Sequence, residues 1–284
     1  MVMTVPRDAT SAPLAPVIAT LCAIEERHGG APVHGLARGL TAVDPRDWSP
    51  AADLVSGRRI PEFLDAAKQR WNAQPHAAAA LAWKCYTYWS ALPALVGFAG
   101  SRRVPLPDPG AVLVRFATTQ PFLTMALRRP TVAVLATDPI ARSGDPDILV
   151  CRDDAELLGH LRRVLIDEHL TPLMERLRGD VHIGKRPLWG SLASSAAHAL
   201  SRTADAIWPV WPPVTGAAGQ GCARRAEPAP LIELIEEVLG ALGVGDLVTL
   251  DTDPQTGALS IQRRTCCLAF TLPTPKVCSG CCIR

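Results

Sequence analysis

LVTLDTDPQTGALSIQRRTCCLAFTLPTPKVCSGCC, residues 247–282, combines a strand-turn-strand pattern with the densest chemistry of the chain. Apolar alternation over Leu247 to Asp251, turn residues at Pro254 and Gly257, and a second run from Leu259 to Phe270 predict a β-hairpin. Five of the nine cysteines crowd onto its end: Cys266 and Cys267 are adjacent, ten residues follow, then come Cys278, Cys281 and Cys282. Neighbouring side chains on a strand point to opposite faces, so a paired Cys266 and Cys267 on the second strand need a local distortion to bring both sulfurs to one centre. Soft thiolates on short flexible spacers suit an iron–sulfur cluster or zinc.

Outward from the hairpin, the pattern is mostly helical. Helices are predicted at Val17–Arg27, at Ile60–Trp71 with Ser56 as its cap, and over the Ala-rich run His76–Gly97. Short β-branched runs at Val112–Phe116, Thr131–Ala136 and Ile148–Cys151 predict a small, mostly antiparallel sheet. Asp153 or Asp154 then opens a long helix, kinked at Pro172 and ending near Gly179. Pro187 sits in the first turn of another helix, reaching Ile207. Residues 208–228, rich in Pro, Gly and Ala, read as a loop, and Leu231–Leu242 as an amphipathic helix closed by Gly243. The expected class is α+β, mostly helical, with a small antiparallel sheet and a C-terminal hairpin that carries the cluster ligands. The expected regions are a frayed tail at 1–16, a helical region at 17–104, an α+β region at 105–245, and a cysteine-bearing hairpin and loop at 246–284.

The net charge of +2 is too small to argue for nucleic acid as a partner. No apolar run approaches the ~20 residues a bilayer demands. The N-terminus lacks the charged-then-apolar build of an export signal, which places the chain in the cytosol, where thiols stay reduced. That argues against a disulfide knot. Cys22, Cys85, Cys151 and Cys222 are scattered singly and read as buried free thiols. No phosphate-cradling Gly loop, dinucleotide fingerprint or paired carboxylates point to nucleotide-driven or hydrolytic chemistry.

Three readings of the cysteines follow from the residues. A structural zinc module is one, because Cys278-x2-Cys281 is a normal zinc half-site, although such sites usually offer two separated pairs. An iron–sulfur electron carrier or redox sensor is the second. An iron–sulfur enzyme is the third.

The ending Arg263-Arg264-Thr265-Cys266-Cys267-x10-Cys278-Ser279-Gly280-Cys281 resembles that of the FhuF-like ferric siderophore reductases, whose C-terminal Cys-Cys-x10-Cys-x2-Cys signature holds a [2Fe–2S] cluster. EHLTPLMERL (Glu168 to Leu177), KRPLWGSLASS (Lys185 to Ser195) and ALPALVGFAGSRRVPLPDPGAVLVRF (residues 91–116) are similar to further segments of that family. Two departures stand out: Ser191 follows Leu-Trp-Gly where the family often has Asn, and Cys282 is an additional thiol able to replace Cys281. The resemblance implies Cys266, Cys267, Cys278 and Cys281 as ligands of a [2Fe–2S] cluster. It also implies one-electron reduction of a ferric siderophore, of hydroxamate type, with release of Fe(II), and a separate electron donor such as a ferredoxin. On that reading Lys185, Arg186 and Trp189, with His182 beside them, are candidates for chelate binding, and Arg263, Arg264 and Lys276 for donor docking. Peripheral association with a membrane near an importer stays open.

Overall fold

The computed structural model describes residues 12–42, 44–117, 119–207, 228–255, 257–278 and 280–283. Most of the expected tail, the stretch 208–227 with Cys222, and Arg284 lie outside the described residues. The chain order is α1 (Ala15–His28), β1 (Leu36–Thr41), β2 (Ser49–Pro50), α2 (Ala52–Val55), α3 (Ile60–Trp71) and α4 (Pro75–Ser101). Strands β3 (Arg103–Pro105), β4 (Val112–Phe116), β5 (Leu123–Leu127), β6 (Val132–Leu135) and β7 (Ile148–Cys151) follow. Then come α5 (Asp154–Arg162), a π-helical segment (Arg163–Leu170), α6 (Thr171–Asp180), α7 (Lys185–Ile207), α8 (Pro228–Ala241), and the strands β8 (Val248–Thr252) and β9 (Leu259–Arg263).

The class is α+β, as the pattern predicts, but the sheets are mixed rather than antiparallel. One sheet runs β1-β5-β4-β2 with β1 parallel to β5, and a second runs β3-β6-β7 with β6 parallel to β7. The third is the β8–β9 hairpin, paired from Val248 opposite Arg263 to Thr252 opposite Leu259. The β1–β5 pairing joins strands some 90 residues apart, a long-range relation that local alternation does not encode, whereas β6 and β7 are consecutive strands. Ser56 does not cap α3; it closes α2, its hydroxyl donating to the Asp53 carbonyl. Asp153 does cap α5, its carboxylate accepting from the Glu156 amide at 2.8 Å. Where a kink at Pro172 is expected, the helix instead widens into the π-helical segment just ahead of it, and Pro172 falls in the first turn of α6.

The most extensive helix pair is α4 against α7. Both present small side chains, Ala77 to Ala80 and Ala82 on α4, Gly190, Ser191, Ala193 and Ala196 on α7, all buried. Small residues let the backbones approach closely, and a few large groups then lock the register. The Trp83 indole, fully buried, donates to the Leu188 carbonyl at 2.8 Å and meets Trp189 edge to face. One continuous apolar core runs from Val17 on α1 to Ile261 on β9. A smaller one, built of Leu81, Cys267, Ala269 and Leu272, lies beneath the C-terminal segment.

The π-helical segment turns His169 wholly into the core, where it lies 2.6 Å from the Tyr86 hydroxyl and 2.7 Å from the Pro107 carbonyl. A neutral ring satisfies both, Nδ1–H donating to Pro107 and Nε2 accepting from Tyr86. Burial lowers its pKa from the ordinary 6.5 to about 4. The unfolded chain therefore takes a proton near 6.5 that the folded chain refuses until about 4. Stability conferred by the neutral ring is complete above that upper value and is lost as pH falls through the window, by up to ~1.4 kcal/mol per unit. Urea unfolding at several pH values between 7.5 and 4.5 should show this slope. His169→Asn should flatten part of it, and His198, lowered to about 4 as well, should account for a further share.

Candidate metal centre and its cleft

Strand β9 ends at Arg263, so Cys266 and Cys267 lie beyond the hairpin, not on its second strand as the alternation suggests. The distortion that an adjacent pair requires is supplied by leaving the strand. Leu268 then adopts a left-handed conformation at φ 62° and turns the chain into the short 3-10 turn Ala269–Thr271. A left-handed Leu costs on the order of 1 kcal/mol, which burial of Cys267 and Ala269 against Leu81 and Leu272 offsets.

The Cys278–Cys281 loop folds back along β9. The Arg263 amide donates to the Gly280 carbonyl at 3.0 Å, and the Cys281 amide to the Cys278 carbonyl at 3.2 Å. Gly280 is needed for this approach, because a Cβ there would collide with the Ile261 carbonyl. A second glycine has the same role from the other side: a Cβ at Gly190 of α7 would overlap the Thr265 side chain, one residue before Cys266. The Leu-Trp-Gly segment and the cysteine segment are thus packed together although 75 residues separate Gly190 from Thr265.

All five C-terminal cysteines are free thiols; Cys267 and Cys281 are buried, and Cys266, Cys278 and Cys282 half-buried. Cys267 and Cys278 are neighbours whose thiols shift each other. The Cys278 side chain first, aided by Lys84, the Ala269 amide and Arg263, holds the Cys267 thiol well below its ordinary range against the opposing effect of burial, and Cys267 in turn drives Cys278 up. Cys282 is raised by burial first, then by the nearby Cys266 and Cys281. Cys267 and Cys278 thus influence each other most strongly, and Cys282 feels Cys266 and Cys281. Among the described residues no three His, Cys, Asp or Glu side chains are drawn together as a metal-binding group.

The charge around these thiols does suit an anionic, thiolate-held centre. Arg263, at the strand end, is only 4% exposed, and its Nη2 donates to the Ser191 hydroxyl at 3.0 Å while Nε and Nη1 have no hydrogen-bond partner. None of the ion pairs among the described residues includes Arg263, Lys84 or Arg202. A buried cation without a counter-charge is costly. Cysteine thiolates beside it are anions that relieve the cost, and Lys84 Nζ already lies 3.8 Å from Cys278 Sγ.

Arg263 is thereby removed from the expected donor-docking surface. It and Arg264 alternate across the chain, Arg263 inward and Arg264 outward, where Arg264 Nε donates to the Thr249 hydroxyl at 2.9 Å. Arg264 and Lys276 stay exposed. Ser191, the departure from Asn, makes the one side-chain hydrogen bond that holds Arg263.

Beside Cys278 opens a cleft of about 490 Å³ walled by α4, α7 and the cysteine loop. Lys84, Arg202 and Arg263 bring positive charge to its lining, His198, Ser194 and Ser195 are among its neutral polar groups, and Trp71 and Trp89 among its apolar ones; among the described residues that line it, none is acidic. Lys185, Arg186 and Trp189 are not there. They border a separate cleft with Arg162 and Asp167, where Lys185 ion-pairs with Glu175 and Arg186 with Asp246 at 2.9 Å. Lys84 carries a weak sequence signal, being the lone charged residue in the Ala-rich run 76–97. Arg202 has none. Comparison of the chain with protein-family sequence models and with curated proteins finds no match.

Gly190→Ala should lower stability by about 1–3 kcal/mol through overpacking against Thr265, and the Cys266 and Cys267 thiols should then react faster with a thiol reagent under native conditions. Gly159→Ala in α5, where an added Cβ meets nothing, is the comparison and should be neutral or stabilising in the same denaturant titration.

Proposed function

We propose that this chain is an iron–sulfur oxidoreductase acting on ferric chelates, of the FhuF-like ferric siderophore reductase kind. Its C-terminal Cys-Cys-x10-Cys-x2-Cys spacing supports the class. The observation that carries the reading beyond spacing is the cleft beside Cys278, whose cations face the thiols with no acidic residue among the described ones lining it. A structural zinc module would have use for the thiols but none for an open cationic cleft against them.

On this reading Cys266, Cys267, Cys278 and Cys281 hold a [2Fe–2S] cluster, with Cys282 the rival for the fourth place. The cluster, when bound, supplies single electrons at a potential set by the charges and donors around it. The rest of the work belongs to the chain's own residues. Arg263 and Lys84 place positive charge against the thiolates, which favours their ionised form and the added negative charge of reduction. Leu81, Ala269 and Leu272 keep water from the Cys267 side. The cleft receives a ferric chelate beside Cys278. Fe(III) held by hard oxygen ligands accepts one electron and becomes Fe(II), which those ligands bind far more weakly, so the metal leaves. Exposed Arg264 and Lys276 form the docking surface for an acidic one-electron donor such as a ferredoxin, which restores the reduced state. The reaction belongs in the cytosol, where thiols stay reduced; no helix among the described residues is long and apolar enough to cross a membrane.

Protein purified without oxygen should be brown, carry about two irons and two sulfides per chain, and bleach with dithionite. Cys267→Ser and Cys278→Ser should each abolish the colour, and Cys281→Ser compared with Cys282→Ser identifies the fourth ligand. A colourless chain with about one zinc would sink the reductase reading and leave a structural module.

A further inference from the structure

Resting on that reading, we infer that the cleft beside Cys278 is an anion-selective subsite that takes ferric chelates of net negative charge, with free or metal-bound carboxylate oxygens, in preference to neutral or cationic chelates. The volume of about 490 Å³ lies in the range of small-ligand sites. Its recognition chemistry is one-signed: Lys84, Arg202 and Arg263 line it without an acidic neighbour among the described residues.

Bound thiolates do not account for all of that charge. Lys84 is within 3.8 Å of the Cys278 sulfur and is engaged there. Arg202 is held by neutral groups, its Nη1 donating to the Tyr88 hydroxyl at 2.9 Å and its guanidinium standing 5.9 Å over the Tyr88 ring. These contacts fix its direction and leave donors over. Arg263 has only Ser191 and keeps two unpartnered nitrogens while buried. The oriented Arg202 guanidinium, with donors to spare, matches carboxylate oxygens, and the enclosed Arg263 adds its uncompensated charge to the field. The same field repels a chelate carrying a positive charge. His198 lies within reach of all three cations, and burial together with their repulsion keeps its ring neutral, so it serves as a neutral hydrogen-bonding wall.

Gallium(III) replaces Fe(III) without accepting an electron, so binding can be measured apart from reduction. Titration calorimetry of the full-length protein with gallium(III) citrate, anionic, and gallium(III) desferrioxamine B, cationic, should show at least tenfold tighter binding of the first. Arg202→Glu should abolish that preference and Lys84→Ala should weaken citrate-complex binding about tenfold, while Arg186→Ala on the other cleft leaves it unchanged. Equal affinity for the two complexes, or Arg202→Glu binding like the parent, overturns the subsite. So does equal binding of metal-free citrate or inorganic phosphate, which would make it a general anion site without chelate recognition. The iron and sulfide content of the same sample separates the two ideas. Gallium citrate binding by a chain without a cluster defeats the reductase reading and leaves the anion site standing; a cluster-bearing chain with no charge preference does the reverse.

Discussion

Burying a guanidinium without a carboxylate is the constraint around which the C-terminal third is organised. Arg263 ends β9 with its side chain enclosed, one hydrogen bond to Ser191 and two nitrogens unpartnered. Removing a charge from water costs several kcal/mol even after relaxation, so the fold keeps this arrangement only where something negative repays it. The groups available are sulfurs: Cys278 lining the same cleft, its neighbour Cys267, and Cys281 buried in the loop that runs along β9. Positive charge there also makes the thiolate form easier to reach, which is the form that binds metal.

The scaffold makes this possible through small side chains. The α4–α7 pair is packed on Ala, Ser and Gly, which brings Lys84 of one helix and His198 and Arg202 of the other to a single cleft. Gly190 on α7 then admits Thr265, and Gly280 admits β9, so both cysteine segments rest on rigid elements rather than on each other alone. Trp83, tied to the Leu188 carbonyl, fixes the height of α7 against α4 and with it the relation of Gly190 to Thr265. The register of two helices and the position of two sulfurs are one problem solved by the same contacts.

Much of this was legible in the chain. Helical periodicity located α1, α3, α4, α7 and α8, and the strand runs at Val112, Thr131 and Ile148 mark β4, β6 and β7. Alternation failed at three points for physical reasons. Strands β1 and β5 form their parallel pair across some 90 residues, a partnership that local pattern does not specify. The apolar run after Arg263 reads as a continued strand, yet Leu268 breaks it by going left-handed. Ser56 has the chemistry of a cap but the wrong register for α3. At the site, cysteine spacing singled out the thiols, whereas the cations that face them come from α4 and α7, where nothing local distinguishes Arg202 from a solvated arginine. Lys185 and Arg186, adjacent to a helix start and conspicuous in sequence, find carboxylates of their own and are spent there.

That contrast bears on what the two clefts can do. Cations already paired with Glu175 and Asp246 must break those contacts before they can hold a ligand, and exposed pairs are worth little either way. Arg202 and Arg263 have no such contact to break; their orientation is set by Tyr88 and Ser191, and the cost of burial has been met during folding. A site whose charges are fixed in advance spends little reorganisation when a ligand arrives. It also discriminates by sign, because neutral partners such as a tyrosine hydroxyl cannot screen the field. The arginines without acids, and not those with them, are therefore the ones whose charge is free to meet an anion, and they line the same cleft as Cys278.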